Sequence, residues 1–252
     1  MWAIPTESGK PKSFCGRLMF EPSDKPRIFA LSPGVDFPKA LIKGVLDRCD
    51  PADPTALARV QMVVNTRRMA RRIRTLFDAG PPRLLPRISL LTEISPTAIG
   101  LPPQSTSLRR RLELARLISR LLNHEPDLAA RSSIYSLADS LAELMDEMQG
   151  EGVPPENIRD LDVSDMSSHW ARAQKFIGIA ETYLAAQKGL MLDPQARQRR
   201  VVQSLIEHWN TAPPRQPIIL AGSTGSRGTT ALLMGAVARL PQGAVVLPGF
   251  DF

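Results

Sequence analysis

The stretch Pro217-Ile-Ile-Leu-Ala-Gly-Ser-Thr-Gly-Ser-Arg-Gly-Thr-Thr-Ala-Leu-Leu233 decides the fold class. Ile218, Ile219 and Leu220 read as a short buried strand that runs into Ala221-Gly222 and a Ser/Thr/Gly turn. A helix follows with Leu232, Leu233, Val237 and Leu240 on one side, and Gly243-Ala-Val-Val-Leu247 is a second strand closed by Pro248-Gly249. Strand, helix and strand within so short a span is a βαβ unit, the building block of parallel sheets. Such a turn sets backbone N–H groups at a helix N-terminus, where an anion or a polar strand can sit.

The same pattern opens the chain. Pro26-Arg-Ile-Phe-Ala-Leu31 predicts a strand, and Pro38 opens a helix through Cys49 that presents Leu41, Ile42, Val45 and Leu46. Val60–Val64 reads as a second buried strand. Asn65-Thr66 then caps a helix over Arg67–Ala79, with Met69, Ile73, Leu76 and Phe77 at helical spacing. Leu84–Leu91 is a third extended segment, and Pro86 gives it an irregular or edge position. The alternation β-α-β-α-β predicts a doubly wound α/β layer.

Between these two regions the pattern turns helical. Leu108–Asn123 carries Leu108, Leu112, Ala115, Ile118 and Leu122 on one stripe, surrounded by Arg109, Arg110, Arg111, Arg116 and Arg120. Ile134–Gln149 is amphipathic, with Asp139, Glu143, Asp146 and Glu147 opposite its apolar face, so the two are expected to pair as an antiparallel hairpin. A longer helix from about Ser164 to Gln187 turns Trp170, Phe176, Ile177, Ala180 and Leu184 inward. The last, opened by Asp193-Pro194, carries Val201, Val202, Leu205, Ile206 and Trp209. The expected organisation is a disordered leader over 1–25, an α/β part over 26–104, a helical insertion over 105–212, and a return to the sheet over 213–252. The chain ends almost on a strand, and a fragment of something longer is expected.

Bulk composition narrows the chemistry. No apolar run reaches the roughly 18–20 residues that span a bilayer, and Met1–Lys12 lacks the basic-then-apolar design of an export signal. A cytoplasmic protein with no membrane partner is expected. Cys15 and Cys49 stand at no metal-like spacing, and His124, His169 and His208 are scattered, so neither a metal site nor a cofactor is expected in this segment. No Ser/His/Asp or Cys/His set argues for nucleophilic catalysis. The net charge is +7, and the excess is concentrated: Arg59, Arg67, Arg68, Arg71, Arg72, Arg74, Arg83 and Arg87 face a single acid, Asp78, over that span. Arginine at this density suits phosphate contact.

Three loops are candidate sites. A phosphate-cradling loop needs glycines, a lysine and a hydroxyl at Gly-x-x-x-x-Gly-Lys-Ser/Thr spacing. After the first strand Gly34 stands alone, Pro33 and Pro38 remove donors, and Lys39 is followed by Ala40. This degenerate loop is not expected to support ATP hydrolysis. Thr66, Arg67, Arg68 and Arg71 lie at a strand-to-helix corner, on the carboxyl edge where ligands of open α/β sheets bind. Ser223, Thr224, Ser226 and Arg227 stand among three glycines that permit close approach of a nucleic-acid backbone. A solvated basic helix face and a plain βα turn with a Ser/Thr cap explain the same residues, and both readings stay open.

The combination of Ser32-Pro-Gly-Val-Asp-Phe-Pro38, Val63-Val-Asn-Thr-Arg-Arg-Met-Ala-Arg71, Leu84-Leu-Pro-Arg-Ile88, Ala221-Gly-Ser-Thr-Gly-Ser226 and Leu240-Pro-Gln-Gly-Ala-Val-Val-Leu-Pro-Gly249 resembles the N-terminal part of the AddB family, in its alphaproteobacterial branch. AddB proteins are subunits of a helicase-nuclease that repairs DNA double-strand breaks. The resemblance covers the chain from about residue 26 onward. It implies a helicase-like, RecA-like first domain with a helical insertion, a P-loop NTPase-type fold whose loop at 32–40 departs from the members that keep a nucleotide site. It further implies DNA (single strand or duplex end) and an ATP-driven AddA-type subunit as partners. An iron–sulfur cluster and the exonuclease part would lie beyond Phe252.

Overall fold

The computed structural model describes residues 18–94, 100–154, 157, 168–187 and 189–250, with 168–173 described for the backbone alone. Five strands, β1 (Ile28–Ala30), β2 (Gln61–Val64), β3 (Arg87–Leu90), β4 (Ile218–Ala221) and β5 (Gly243–Leu247), form one all-parallel sheet in the order β1-β5-β4-β2-β3. Strands from the two ends of the chain therefore interleave, the RecA-like arrangement with a helical insertion. Pairing is in register across the middle: Val63 lies opposite Leu220, and Leu220 opposite Val245. These strands are nearly continuous apolar runs because helices cover both faces.

Strand alternation divides the core. Met62, Val64, Ile219, Ala221, Ala244 and Val246 point to one face, against α1 (Phe37–Leu46) and α2 (Arg67–Asp78). Val63, Ile218, Leu220 and Val245 point to the other, against α6 (Pro194–Thr211) and α7 (Gly228–Arg239). Packing thus joins α6 to the sheet through Val202, Leu205, Ile206 and Trp209, although the sequence reading placed it in the insertion. Helix α1 ends at Leu46, three residues short of the expected Cys49. β3 occupies an edge, as Pro86 implied, because a strand entered from proline is easiest to place where no second neighbour needs its N–H.

Residues 1–17 of the expected leader fall outside the described residues. Its last part is not a disordered leader: Phe20 is buried in the core, and Gln242 holds its backbone by accepting from Phe20 N at 3.1 Å and donating to Phe20 O at 2.8 Å. Arg27 strengthens this corner, donating to Leu240 O at 2.9 Å and to Glu21 O at 2.6 Å.

Among the described residues the insertion carries α3 (Ser107–His124), α4 (Ile134–Glu151) and α5 (Ser168–Gln187) around Leu114, Ile118, Leu122, Leu141, Met145, Ile179 and Tyr183. The hairpin of a basic and an acidic helix forms, with Arg110–Asp146 at 2.7 Å and Arg111–Asp139 at 2.8 Å. Its apolar stripe differs from the expected one. Leu108 and Leu112 are 63% and 50% exposed, whereas Arg110 is 4% exposed. The stripe is rotated because α4 and the residue that opens α6 give the Arg110 guanidinium its charge and hydrogen-bond partners, although its Nε makes no hydrogen bond. Arg110 donates to Asp146 Oδ1 and to Ala142 O at 2.6 Å, and Asp193 Oδ2 lies 3.5 Å from its Nε. Asp193 also accepts from Tyr183 Oη at 3.1 Å and from Gln149 Nε2 at 3.1 Å. Burial, with the Asp193 carboxylate, pushes the Tyr183 hydroxyl up to about 12, so it stays a neutral donor. The expectation for Trp170 falls outside the described side chains.

Removing one partner of a buried ion pair leaves the other charge uncompensated. Arg110→Ala is expected to cost about 3–5 kcal/mol in urea unfolding, and Arg111→Ala, whose pair is half exposed, under about 1 kcal/mol. Equal costs for the two would remove Arg110 from its role.

Candidate nucleic-acid interface

Strand order sets where a ligand can approach. β2 runs through α2 to β3 in one direction, whereas its neighbour β4 runs through α7 to β5 in the other. The carboxyl ends of β2 and β4 therefore diverge and open a crevice, the position at which open α/β sheets bind ligands. The floor is pinned. Asn65 Nδ2 donates to Gly222 O, and a Cβ on Gly222 (φ +82°) would lie 2.8 Å from Met69 Sδ. Only glycine fits this left-handed backbone under the α2 corner.

Three helix N-termini point to this edge, and each is already capped. At α1, Asp36 accepts from Lys39 N at 3.4 Å, its carboxylate lies 3.4 Å from Lys39 Nζ, and Arg72 Nη2 is 3.5 Å away. Partial desolvation pushes the Asp36 carboxyl up. The hydrogen bonds from Lys39, with the Lys39 and Arg72 charges, outweigh it and hold the group below its ordinary value. The lysine of the degenerate loop is thus turned to an internal acid. Gly34 adopts φ +82° beside Pro33, a left-handed turn that favours glycine.

At α7 the cap comes from a distant helix. Gly228 N donates to Glu151 Oε1 at 2.8 Å, and Thr229 Oγ1 donates to Gly150 O at 2.8 Å. Arg199 Nη1 donates to the same Gly150 carbonyl at 2.8 Å, so the end of α4 is held by both α6 and α7. The expected Ser/Thr cap does not form: Arg227 occupies the N-cap position and makes no side-chain cap bond. An anion site suggested by the Gly/Ser/Thr turn therefore already holds a carboxylate. β4, the central strand, ends in Ala221-Gly222-Ser223 and offers no acid there to hold a nucleotide's magnesium.

At α2 the cap is neutral. Thr66 Oγ1 accepts from Met69 N at 3.2 Å, which leaves the positive end of this helix without a carboxylate. Arg67, Arg68 and Arg71 are exposed, and their guanidinium groups meet no described acid or acceptor. Arg74 Nη2 donates to Ile88 O at 3.4 Å, which turns that flank of α2 towards β3.

The predicted contact residues thus separate into two environments. Thr66, Arg67, Arg68 and Arg71 form an open cationic corner. Ser223, Ser226 and Arg227 line a cleft of about 780 Å³ whose opposite wall is Glu143, Asp146, Glu147 and Glu151 of α4. Thr224 is exposed at the rim, and Ser223 Oγ accepts from Gly225 N at 3.3 Å. Four carboxylates across the cleft repel a phosphate backbone, whereas among the described residues no acid pairs with Arg67, Arg68 or Arg71, and Asp36 meets α2 at Arg72. The sequence reading missed Glu151 and Asn65 as parts of this edge. The acidic face of 139–147 was visible as a pattern, but not its approach to residue 228.

Among the described residues no helix is long and apolar enough to cross a membrane, and no group of three or more His, Cys, Asp or Glu could hold a metal ion. No family model matches the chain, and no curated protein matches it in sequence. Function therefore rests on the geometry of this edge.

Glu151→Ala is expected to cost about 1 kcal/mol, as the loss of a helix cap does. Gly228→Ala would set a Cβ 2.4 Å from Glu151 Oε2 and 3.1 Å from Glu151 Cα, so its penalty should shrink when Glu151 is already alanine. Additive costs in that double-mutant cycle would exclude the contact. Asp36 stabilises the fold most above the ordinary carboxyl value of 3.8, and that stability is lost as pH falls through its lowered folded-state value. The gap between wild type and Asp36→Asn should therefore narrow in acid-titrated unfolding; a constant gap would contradict the assignment.

Proposed function

We propose that this chain is an AddB-type helicase-like scaffold of a cytoplasmic complex that repairs DNA double-strand breaks. It grips the phosphate backbone of single-stranded DNA or of a duplex end, docks an AddA-type motor subunit, and catalyses no nucleotide hydrolysis itself. One observation carries the reading: along a RecA-like carboxyl edge, the N-termini of α1 and α7 are closed by Asp36 and Glu151, while Arg67, Arg68 and Arg71 on α2 are exposed and unpaired among the described residues. Where a hydrolase would seat its triphosphate, the chain presents its own carboxylates; where a polyanion would lie outside, it presents three free guanidinium groups.

Arg67, Arg68 and Arg71 make charge-assisted hydrogen bonds to successive phosphates, without reading the bases. The Thr66 hydroxyl accepts from Met69 N and keeps its own proton for a phosphate oxygen. Thr224, Ser226 and Arg227 contact the backbone only at the rim, because the acidic wall excludes phosphate from the cleft behind them.

Phosphate contacts release counterions, so binding of a single-stranded oligonucleotide should weaken steeply between about 50 and 200 mM salt. Replacing Arg67, Arg68 and Arg71 together by alanine should flatten the log–log salt slope by about 2, at roughly 0.7 per phosphate contact on a single strand. Salt-independent binding would defeat the proposal. So would ATP-dependent thermal stabilisation that disappears in Lys39→Ala, since it would mean that the loop at 32–40 holds nucleotide.

A further inference from the structure

Helix α1 does not pack tightly on the sheet along its whole length. A cavity of about 180 Å³ lies between α1 and strands β1, β4 and β5, with Phe29, Leu41, Val45, Ile219, Ala244 and Val246 in its wall. Small residues leave this space. Ala40 and Gly44 stand one turn apart on α1 and line it from the helix, and Ala244 lines it from β5. Protein interiors hold few voids larger than a water molecule, because the atoms around a void lose contacts that close packing would supply.

The wall offers an aromatic surface and a single charge. Phe20 and Phe29 both line the cavity and stack on each other, with ring centroids 6.3 Å apart and planes inclined at 28°. Arg48 is exposed and is the one charged residue in the lining. Its Nη1 donates to Gly44 O at 2.8 Å, which lays the guanidinium beside the last turn of α1, 4.7 Å from the Phe29 ring centroid. A buried water needs roughly two to four polar partners, and apart from Arg48 the lining side chains are hydrocarbon throughout.

From these observations we infer that the cavity binds a small uncharged aromatic molecule the size of a single ring. The site lies under α1, apart from the α2 corner, and does not depend on the phosphate-binding reading. Its size fits, since an apolar cavity of about 150 Å³ takes up one benzene molecule. A ring is favoured over an alkyl group of equal size because it stacks against Phe29 and offers its π face to the Arg48 guanidinium. A carboxylate is disfavoured: the hydrocarbon wall cannot solvate it, and the carbonyls at the end of α1 repel it.

The test follows thermal unfolding of the full 252-residue chain with toluene, and with methylcyclohexane as a guest of equal carbon count that lacks a π face. At about ten times its Kd, toluene should raise Tm by about 3–5 °C, and the methyl resonances of Leu41, Val45 and Ile219 should shift with it. Methylcyclohexane should bind more weakly. Arg48→Ala should weaken toluene by about two- to fivefold, the range of an exposed cation–π contact, and leave methylcyclohexane unchanged. Ala244→Val and Ala40→Leu fill the cavity from the sheet and from the helix, and each, once shown to unfold cooperatively, should abolish the rise. No rise with toluene in the wild type would overturn the inference. A rise that persists in either folded variant would place the ring elsewhere and overturn it equally. Equal affinity for the two guests, unmoved by Arg48→Ala, would overturn the assignment of an aromatic ligand.

Discussion

The end of α4 resting on the start of α7 determines how the rest of this molecule is arranged. A helix C-terminus presents unsatisfied carbonyls and a helix N-terminus unsatisfied N–H groups, so the two ends complement each other. Here Gly150 O accepts from Thr229 Oγ1 and Arg199 Nη1, and Glu151 reaches the Gly228 amide. Gly152 turns the chain away at φ +75°, with the Arg199 guanidinium packed where a side chain would stand. This junction joins the insertion to the sheet and closes the one glycine-rich N-terminus that resembled an anion site.

A second polar centre works inside the insertion. Arg110, Asp193, Tyr183, Asp146 and Gln149 draw α3, α4, α5 and the start of α6 together. A buried network of this kind adds little net stability over an apolar core, because desolvation offsets the attraction between charges. Its effect is directional. A hydrogen-bonded guanidinium accepts few geometries, so the rotation of α3 about its axis follows from Arg110 more than from its leucines. Leu108 and Leu112 are left exposed as the consequence.

The two polar centres also separate the charges of the surface. The acidic side of α4 is divided between Arg110, Arg111 and the crevice over β2 and β4, while α2 keeps its arginines at the outer corner. An edge that looks uniformly suited to phosphate in sequence is therefore repulsive over its centre and attractive at one end.

Much was legible from residue order alone. Short apolar runs bounded by Gly, Pro and Ser, alternating with helical spacing, specify parallel strands and covering helices, because periodicity and burial are local consequences of side-chain chemistry. Pro86 left the third strand an irregular or edge position, of which the edge is observed, and the isolated Gly34 with Lys39 before Ala40 departs from a standard phosphate loop. The interleaving of β4 between β5 and β2 was not legible, since pairing is decided by which buried faces meet. Nor was the partner of Gly228, which lies 77 residues away. Whether an arginine is exposed, as Arg67 is, or buried, as Arg110 is, depends on the acceptors that other helices bring to it, and only the tertiary structure assembles those.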